Sequence, residues 1–477
     1  MRVAFHTLGC KVNQYETEAM AKMFREHQHE VVDERDFADV YIVNTCTVTA
    51  VADKKSRQYI RRMKKVNPDS IVVVTGCYAQ INPEEVGSIA GVDIITGVND
   101  KNKIVELVEE FNSSQEKIIS ELRDFVELGP VVSTENRTRA YIKIQEGCNR
   151  FCSYCVIPYA RGPVRSRPVE NIVEEAKALL NKGYKELVLT GINAAQYDME
   201  GRDLYIGSNN DRTGCAGDHS GESQASTGED MDEIFGIEKV ISAINDLPGD
   251  FRIRLSSLEP AVVNSDYVKK LFKYDKLCHH LHMSAQSGSD TILMAMNRPY
   301  DSDGYYELVN TLFDFDPCYG ISTDIIVGFP GEKDKDFKDS CDLVTECSFC
   351  KTHIFKYSKR PMTKAADMKG QISPQVKKAR SEELDKVARE ASEGFFEINL
   401  AEAAEGRTEQ VLVEEVVKIK TGFEFDQTEE DYYVGYTGNY IRTYIPVTEI
   451  AESAINEFVK VELTEIFKDG MKARVRR

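Results

Sequence analysis

Long apolar runs are absent from this sequence. A membrane-spanning helix needs about 18 consecutive apolar residues, and no segment of the chain reaches that length. The opening MRVAFHTLGCK combines a single arginine with a short apolar stretch and has no small-residue cleavage site, so it predicts a core strand and not a signal peptide. We therefore expect a soluble, cytoplasmic protein with no membrane partner.

Positive charge is also scarce, because 60 lysines and arginines face 79 aspartates and glutamates, for a net charge of −19. Phosphate contacts need clustered cations, so this balance argues mildly against a protein built mainly to bind nucleic acid. A local basic face nevertheless exists in residues 54–65, where cations recur at helical spacing. A solvated helix face explains such a run equally well, and RNA contact by Lys54, Arg57 and Arg61 is the other open interpretation.

The chain has 477 residues and 12 cysteines. This length gives room for about two to four domains, and a core of that size needs no disulfide scaffold. In a reducing compartment, cysteines are better read as thiolate ligands than as disulfide partners. The changes of pattern along the chain predict an α/β domain over 1–125, a second α/β domain over 135–372, a helical linker over 373–402 and a β-domain over 403–477.

The first domain alternates short β-rich runs with helical stretches, which is typical of a parallel sheet. The runs are Val3–Phe5, Val40–Asn44, Ile71–Thr75 and Ile94–Thr96, and the first three are followed closely by Cys10, Cys46 and Cys77. The carboxyl ends of parallel strands lie at one edge of the sheet, so the three thiols should converge. One such cysteine alone is most often a core residue, but three at equivalent strand ends predict ligands of one iron–sulfur cluster with one iron left open.

The strongest local signal is the CxxxCxxC spacing of Cys148, Cys152 and Cys155, directly after the strand-like run Tyr141–Gln145. Structural zinc sites usually have four ligands, whereas three thiolates on a four-iron cluster leave one iron free to bind S-adenosylmethionine. This spacing resembles that of the radical S-adenosylmethionine superfamily.

Further strand-like runs follow at Glu186–Thr190, Arg252–Ser257, His280–Ser284, Ile321–Val327 and Thr352–Lys356. With Tyr141–Gln145 they predict an open, partial (βα)6 barrel whose site lies at the carboxyl ends of its strands. Each glycine-rich turn at those ends is weak evidence alone. Together they predict the cofactor contacts Tyr154, Gly191, Asn193, Ser257, Gln286, Ser287 and Gly328. Arg161 and Arg165 are candidates for RNA phosphate or a cofactor carboxylate, and surface arginines are the alternative.

Two other regions differ in character. Residues Asp198–Asp232, with Cys215 inside, predict a flexible insertion in a loop of the second domain. A helical linker from about Pro374 to Leu400, with Val376, Ala379, Val387, Ala391 and Phe395 near one face, leads into short strands that predict a small barrel of the oligonucleotide-binding kind. Tyr436, Tyr440 and Tyr444 could stack on bases there, although acidic residues outnumber basic ones between 407 and 477.

Over essentially its whole length the chain resembles the radical S-adenosylmethionine methylthiotransferases. The N-terminal cysteines, the CxxxCxxC motif and a C-terminal module similar to the TRAM domain, an RNA-binding barrel, occur in the family's order. The opening FHTLGCKVNQYETEAM is similar to the branch that acts on N6-threonylcarbamoyladenosine in tRNA. Other branches usually carry different residues after the first Gly-Cys, and the loop INAAQYD after Gly191 departs from the family's usual continuation.

The resemblance implies a transferase that adds a methylthio group to C2 of N6-threonylcarbamoyladenosine next to the anticodon. It implies two [4Fe–4S] clusters, one on Cys148, Cys152 and Cys155 and an auxiliary one on Cys10, Cys46 and Cys77. S-adenosylmethionine would serve as methyl donor and radical source, the tRNA anticodon stem-loop as substrate and a flavodoxin-type protein as external electron donor. The alternatives are a methylthiotransferase for isopentenyladenosine or a ribosomal protein, and a non-catalytic RNA-binding metalloprotein.

Overall fold

The computed structural model describes residues 1–131, 138–200, 234–421, 428–450 and 453–476. The insertion predicted at Asp198–Asp232 lies almost entirely outside the described residues, and so does Cys215. Within the described ranges, no helix combines the length and the apolar character that crossing a bilayer requires.

The N-terminal part is a six-stranded parallel sheet in the order β2-β1-β3-β4-β5-β6. The four predicted strands are confirmed. The sequence reading missed β2 and β6, which are three-residue strands at the two edges of the sheet. The strands are β1 (Arg2–Thr7), β2 (Glu30–Val32), β3 (Val40–Thr45), β4 (Ile71–Gly76), β5 (Ile94–Thr96) and β6 (Glu116–Ile118), and the helices are α1 (Lys11–Glu26), α2 (Ala50–Val66), α3 (Cys77–Ile81), α4 (Pro83–Gly87) and α5 (Ile104–Glu109).

The central strands of this sheet are apolar along their whole length because they are covered on both faces. Every residue of β3 is buried. Tyr41 and Val43 pack in one apolar cluster with helix α2, and Val40 and Ile42 pack in another with α1 and α5. This double cover fixes the sheet, and its carboxyl-terminal edge remains the place where loops can carry functional side chains.

The central part is a partial barrel of six parallel βα units, as predicted, although the predicted run Arg252–Ser257 is interrupted at Ser256 and forms two short strands. Its strands form the sheets β11-β10-β7 and β12-β13-β14-β15, and an isolated parallel bridge between Ile253 and Leu277 links the two. The barrel strands are β7 (Arg139–Lys143), β10 (Glu186–Thr190), β11 (Arg252–Leu255), β12 (Ser257–Leu258), β13 (His280–Met283), β14 (Gly320–Val327) and β15 (Lys351–Lys356). A short antiparallel ribbon of β8 (Gln145–Glu146) and β9 (Arg165–Ser166) lies beside them. The helices are α6 (Ile157–Arg161), α7 (Val169–Asn181), α8 (Ile237–Asn245), α9 (Ser265–Leu271), α10 (Asp290–Ala295), α11 (Ser302–Phe315), α12 (Asp334–Glu346) and α13 (Lys364–Asp367).

A long helix, α14 (Pro374–Ala404), follows the partial barrel. The predicted apolar face is only partly right, because Val376 and Ala379 are exposed. The buried stripe starts one residue later, at Arg380, whose guanidinium donates to Glu332 Oε2 over 2.5 Å and to Asp334 Oδ1 over 2.8 Å. Ion pairing with the central part therefore sets the rotation of the first turns, and Ala391 and Phe395 are buried farther along as predicted.

The C-terminal strands close into the predicted small barrel, in the order β16-β17-β18-β20-β19. Tyr444 is 2% exposed and belongs to an apolar cluster of this barrel, so the prediction that it stacks on bases is wrong. The strands are β16 (Glu409–Thr421), β17 (Thr428–Tyr436), β18 (Arg442–Pro446), β19 (Phe458–Phe467) and β20 (Gly470–Val475).

The small barrel docks against the amino-terminal ends of the central strands. Arg252 Nη2 donates to Tyr436 O over 2.9 Å, and Arg254 donates to Gly438 O over 3.0 Å and to Thr437 O over 3.1 Å. Both arginines also pair with Glu186 at the start of β10. The small barrel thus covers the edge of the partial barrel that is opposite to the CxxxCxxC loop.

Candidate active site

The three N-terminal cysteines lie at one edge of the sheet. Cys10 precedes α1 as its N-cap residue, Cys46 directly follows β3, and Cys77 begins α3 directly after β4. Because β1, β3 and β4 are neighbouring parallel strands, these positions are adjacent. The backbone at Gly9 is so close that a Cβ there would lie 3.1 Å from Cys46 Sγ. The structure therefore brings the predicted first triplet together.

Two of these cysteines, Cys46 and Cys77, are buried, whereas Cys10 is exposed. Burial raises the pKa of Cys46 to about 12, and the neighbouring Cys77 and Cys10 thiols add to this rise. Burial also raises the pKa of Cys77, although the Arg161 guanidinium opposes it. Each thiol is thus an electrostatic neighbour of the other two.

The second triplet lies in a tight loop after β8. Gly147 has φ +75°, and a Cβ there would lie 1.8 Å from Pro163 O, so only glycine fits. The amide of Cys148 donates to Gly162 O over 3.0 Å and closes the loop. Burial raises the pKa of Cys148 to about 12, and the Glu259 carboxylate and the Cys152 thiol add to it. Burial likewise raises the pKa of Cys155, with contributions from Cys152 and Cys148.

A buried arginine connects the two triplets. Arg161 ends α6, the helix that follows the CxxxCxxC loop, and its Nε donates to Cys77 Sγ over 3.1 Å. Its Nη1 donates to Glu16 Oε1 over 2.7 Å and to Glu146 Oε2 over 3.0 Å. Glu16 also pairs with Lys101 and with Lys143. Charges from the N-terminal and central parts therefore form one buried network between the two cysteine sites.

This network concerns two predicted RNA contacts, Arg161 and Arg165. Arg161 is 0% exposed and Arg165 is 5% exposed. Arg165 donates from Nη2 to Arg161 O over 2.7 Å. Neither guanidinium faces solvent, and Arg161 is held by protein partners, so Arg161 is not available to a phosphate of bound RNA. Nε and Nη1 of Arg165 are buried and make no hydrogen bond to any described residue.

Polar side chains line the inside of the partial barrel. His282 Nε2 lies 3.1 Å from Asp324 Oδ2, and the Ser284 hydroxyl donates to the same oxygen over 2.9 Å. Burial opposes ionisation of Asp324, but the bonds from His282 and Ser284 lower its pKa. Burial and the nearby Arg254 guanidinium hold the pKa of His280 well below its usual value, so this imidazole is neutral.

Four of the predicted cofactor contacts lie at or near the ends of barrel strands, and a fifth lies in the cysteine loop. Tyr154 lies inside the CxxxCxxC loop, with its ring centroid 6.5 Å from that of Phe329. The Asn193 side chain donates to Glu259 Oε2 over 2.8 Å and lies 4.0 Å from Cys148 Sγ. Gly191 follows β10, Ser257 is exposed on β12, and Gln286 follows β13 with φ +67°. These five remain candidates for cofactor binding.

Two other predicted cofactor contacts, Ser287 and Gly328, lie against helices outside the barrel. The Ser287 hydroxyl is buried within 3.3 Å of Ser340 Oγ on α12 and accepts from the Ser289 amide. The amide of Gly328 donates to Glu332 Oε2 over 2.7 Å, and a Cβ there would lie 2.3 Å from Lys377 Cγ of α14. Both residues pack against helices outside the barrel, and their role as cofactor contacts stays a prediction.

Sequence reasoning missed Glu259 and Arg298. Glu259 Oε2 accepts from Arg150 Nε over 2.7 Å, and its buried Oε1 accepts no hydrogen bond from any described residue, with Arg298 Nη1 3.6 Å away. Arg298 Nη1 donates to Cys152 Sγ over 3.3 Å. Glu259 directly follows β12 and could have been found as one more polar residue at a strand end, but Arg298 lies in a loop with no such signal.

The remaining RNA candidates divide into two groups. On α2, Lys54 and Arg61 are exposed, whereas Arg57 donates to Tyr78 Oη over 3.0 Å and to Glu85 over 3.2 Å. The Tyr440 ring stacks on His280 at 4.5 Å and on Tyr436 at 5.0 Å between the two barrels. Because these partners occupy its ring, the structure contradicts Tyr440 as a base-stacking residue.

Among the residues that the structure describes, no three His, Cys, Asp or Glu side chains form a site for a single metal ion. A four-iron cluster is larger than one ion and needs its thiolates farther apart. Two separate groups of three cysteines, each without a fourth protein ligand in its loop, suit clusters with one open iron.

Two known protein families match the two parts of the chain that carry the cysteine triplets. Residues 2–97 match the family described as "Uncharacterized protein family UPF0004", and residues 142–344 match the radical SAM superfamily. The first match contains Cys10, Cys46 and Cys77, and the second contains Cys148, Cys152 and Cys155.

Several named relatives match nearly the whole chain. A threonylcarbamoyladenosine tRNA methylthiotransferase, MtaB, from Bacillus subtilis is 37% identical over 99% of this chain and 96% of that relative. MtaB from Thermotoga maritima is 34% identical over 98% of this chain and 96% of the relative. A tRNA-2-methylthio-N(6)-dimethylallyladenosine synthase from Thermoanaerobacter sp. is 32% identical over 96% of this chain and 89% of the relative.

Among solved structures, the radical S-adenosylmethionine methyltransferase TsrM from Kitasatospora setae matches with a TM-score of 0.53. The match covers 76% of this chain and 75% of TsrM at 13% sequence identity. At that identity the likeness shows the fold alone.

Proposed function

The chain belongs to the tRNA methylthiotransferases of the radical S-adenosylmethionine superfamily, and on that premise we propose that it methylthiolates C2 of N6-threonylcarbamoyladenosine next to the anticodon, using two [4Fe–4S] clusters. The family makes the chain a transferase that uses S-adenosylmethionine and a [4Fe–4S] cluster on a tRNA substrate. The substrate base and the second cluster are our proposal.

One observation carries the proposal, namely that Arg161, on the helix that follows the CxxxCxxC loop, donates to Cys77 of the first triplet. Cys148, Cys152 and Cys155 would hold the cluster that binds S-adenosylmethionine. Cys10, Cys46 and Cys77 would hold an auxiliary cluster that carries the sulfur to be transferred. With clusters and S-adenosylmethionine bound, the site supplies the one-electron chemistry that an unactivated C–H bond requires.

The residues of the chain supply binding and charge at these two sites. The buried Glu259 Oε1, beside Cys148 and without a hydrogen-bond donor among the described residues, fits the ammonium group of S-adenosylmethionine. The guanidinium groups of Arg161 and Arg298 donate to Cys77 and Cys152 and would offset negative charge on those sulfurs. Asn193 ties Glu259 to the loop that carries Cys148.

The proposed substrate follows from the relatives and from the opening of the chain. Relatives named for threonylcarbamoyladenosine are 34–37% identical over at least 91% of this chain. Exposed Lys54 and Arg61 of α2 would contact phosphates of the anticodon stem-loop. The electron would come from an external donor of the flavodoxin type.

The test is anaerobic reconstitution with iron and sulfide, followed by reaction with anticodon stem-loops that carry threonylcarbamoyladenosine or dimethylallyladenosine. We expect about eight irons per chain, and a mass increase that corresponds to a methylthio group on the threonylcarbamoyladenosine stem-loop. Cys77→Ala should retain about four irons and form 5′-deoxyadenosine without transferring sulfur, and Cys152→Ala should form neither product.

Cys341→Ala is the matched control, because this half-buried thiol on α12 lies outside both triplets. Wild-type protein that holds only about four irons would contradict the auxiliary cluster. Modification of the dimethylallyladenosine stem-loop alone would contradict the proposed substrate.

A further inference from the structure

Lys11 lies between the first cysteine triplet and the partial barrel. It directly follows Cys10 and is the first residue of α1. Farther along this helix, Tyr15 Oη donates to Glu175 Oε2 over 3.1 Å, and Glu16 Oε1 accepts from Lys143 Nζ over 2.8 Å. Helix α1 is therefore fixed along β7, an edge strand of the partial barrel, and Lys11 lies in its first turn.

The charged neighbours of the Lys11 ammonium lie on strands of the partial barrel. They are Arg254 on β11, Arg139 on β7, Glu186 on β10 and Asp324 on β14. Lys11 therefore borders the space between these four strands. His280 and His353, on β13 and β15, also feel the Lys11 charge.

Lys11 differs from the other cations of this space because it has no partner. Arg254 is bound to Glu186, and Lys143 is bound to Glu16 and Glu146. Among the described residues, the Lys11 ammonium makes no hydrogen bond and no ion pair, and its side chain remains exposed to the enclosed space. An anion placed here could pair with the Lys11 ammonium without displacing a protein partner.

We propose that Lys11 binds the carboxylate of the threonyl group on the substrate base and thereby selects this base over one with an apolar substituent. This inference rests on the proposed function. A threonylcarbamoyl group carries one carboxylate, whereas a dimethylallyl group carries no charge and would leave the ammonium desolvated and unpaired. Selection therefore acts in both directions, through an ion pair with one substrate and a desolvation penalty with the other. Because Lys11 is adjacent to Cys10, a base bound through Lys11 would lie next to the proposed auxiliary cluster.

The experiment uses the reconstituted full chain and three stem-loops that differ only in the modified adenosine. One carries threonylcarbamoyladenosine, one its methyl ester, which removes the negative charge, and one dimethylallyladenosine. We expect wild-type protein to bind the acid about 10- to 100-fold more tightly than the ester. Lys11→Met should lose this preference by weakening acid binding alone, and Lys11→Arg should keep it. Affinity is measured by fluorescence anisotropy without turnover, and KM and kcat are measured separately on each stem-loop.

Arg25→Met is the matched control. It removes one positive charge from an exposed position near the far end of the same helix, about 20 Å away. It should leave the preference for the acid unchanged. Equal wild-type affinity for acid and ester would overturn the role of Lys11, and so would an equal loss for both stem-loops in Lys11→Met, which indicates a merely structural effect. Wild-type protein that prefers the acid in binding but never modifies it would overturn the proposed function and leave the Lys11 contact standing.

Discussion

At the scale of single residues, buried charges organise the junction between the two cysteine sites. Arg161 contacts Cys77, Glu16 and Glu146 and is fully buried. Removing one partner from such a network leaves the others uncompensated, which typically costs about 3–5 kcal/mol. The same residue therefore stabilises the fold and positions a thiol.

We expect Arg161→Met to lower the free energy of unfolding by about 3–5 kcal/mol, because Glu16 and Glu146 lose a buried countercharge. Denaturant unfolding measures this change. As a control, Arg389→Met removes an exposed i,i+4 pair with Asp385 and should change stability by less than about 0.5 kcal/mol. Equal effects of the two substitutions would mean that the network contributes little.

Gly9 gives a second prediction at this scale. It has φ +113°, and a Cβ there would lie 2.8 Å from Cys46 Cβ. We expect Gly9→Ala to displace Cys10 and Cys46 and to lower the iron content after reconstitution from about eight to about four per chain, with 5′-deoxyadenosine formation unchanged. Gly394→Ala is the control, because nothing lies within 4 Å of a Cβ at that helical position. Full iron content in Gly9→Ala would contradict this account.

The cysteine sites could be predicted from sequence because strand ends and short spacing are local signals. Cys46 and Cys77 follow apolar runs directly, and Cys148 to Cys155 share one loop. Arg298 could not be found in this way, because it reaches Cys152 across 146 residues of sequence. The burial of Arg161 could not be predicted either, because the sequence around a motif does not show whether an arginine faces water or a carboxylate.

At the scale of elements, α2 presents a row of exposed cations at the edge of the N-terminal domain. Its N-cap Thr49 accepts from the Ala52 amide, and Lys54, Lys55, Arg61, Arg62 and Lys65 are exposed. Arg57 and Lys64 are instead held by Glu85 and Asp93. Only part of the basic run that the sequence shows is therefore available to a phosphate backbone.

We expect Lys54→Glu and Arg61→Glu each to weaken tRNA binding whatever the modification of the base. Each lost phosphate contact should also reduce the slope of log affinity against log salt concentration by about one. Filter binding over a salt series measures both quantities. Lys386→Glu, at an exposed position on α14, is the charge-matched control and should leave the slope unchanged.

The elements that sequence predicted best are long apolar strands with cover on both sides. β2 and β6 were missed because these short edge strands are partly exposed and carry charged residues, whereas the equally short β5 is fully buried and apolar enough to be recognised. The face of α14 was misjudged because Arg380 is buried through its ion pairs with Glu332 and Asp334, and a hydrophobic pattern assigns arginine to the surface.

At the scale of the whole molecule, an ion pair fixes the small barrel to the partial barrel. Arg407, between α14 and β16, donates to both carboxylate oxygens of Asp316 over 2.8 and 2.9 Å, and His279 lies 2.6 Å from the same carboxylate. Burial alone would raise the pKa of Asp316, but the bonds from His279 and Arg407 hold it well below its ordinary value.

Because the pKa of Asp316 is lower in the folded state than in the unfolded chain, the free energy of unfolding falls as the pH is lowered. The pair contributes its full stability above about pH 4, the ordinary pKa of Asp, and loses it as the pH falls toward the lower pKa of the folded state. We expect Asp316→Asn to lower the free energy of unfolding by about 1–3 kcal/mol at pH 7. Below about pH 4 the stability of the variant should depend less on pH than that of the wild type. Urea unfolding at both pH values checks this, and a constant difference between wild type and variant across the range would contradict it.

The position of the small barrel has a consequence for the order of events in catalysis. It seals the floor of the central chamber through Arg252 and Arg254, and α1 lies along the chamber's flank. With this floor closed, cofactor and substrate base would both reach the chamber from the side of the cysteine loops, so the cofactor would bind before the tRNA and leave after it. The used cofactor could then leave only after the tRNA dissociates, and tRNA dissociation would set the turnover rate.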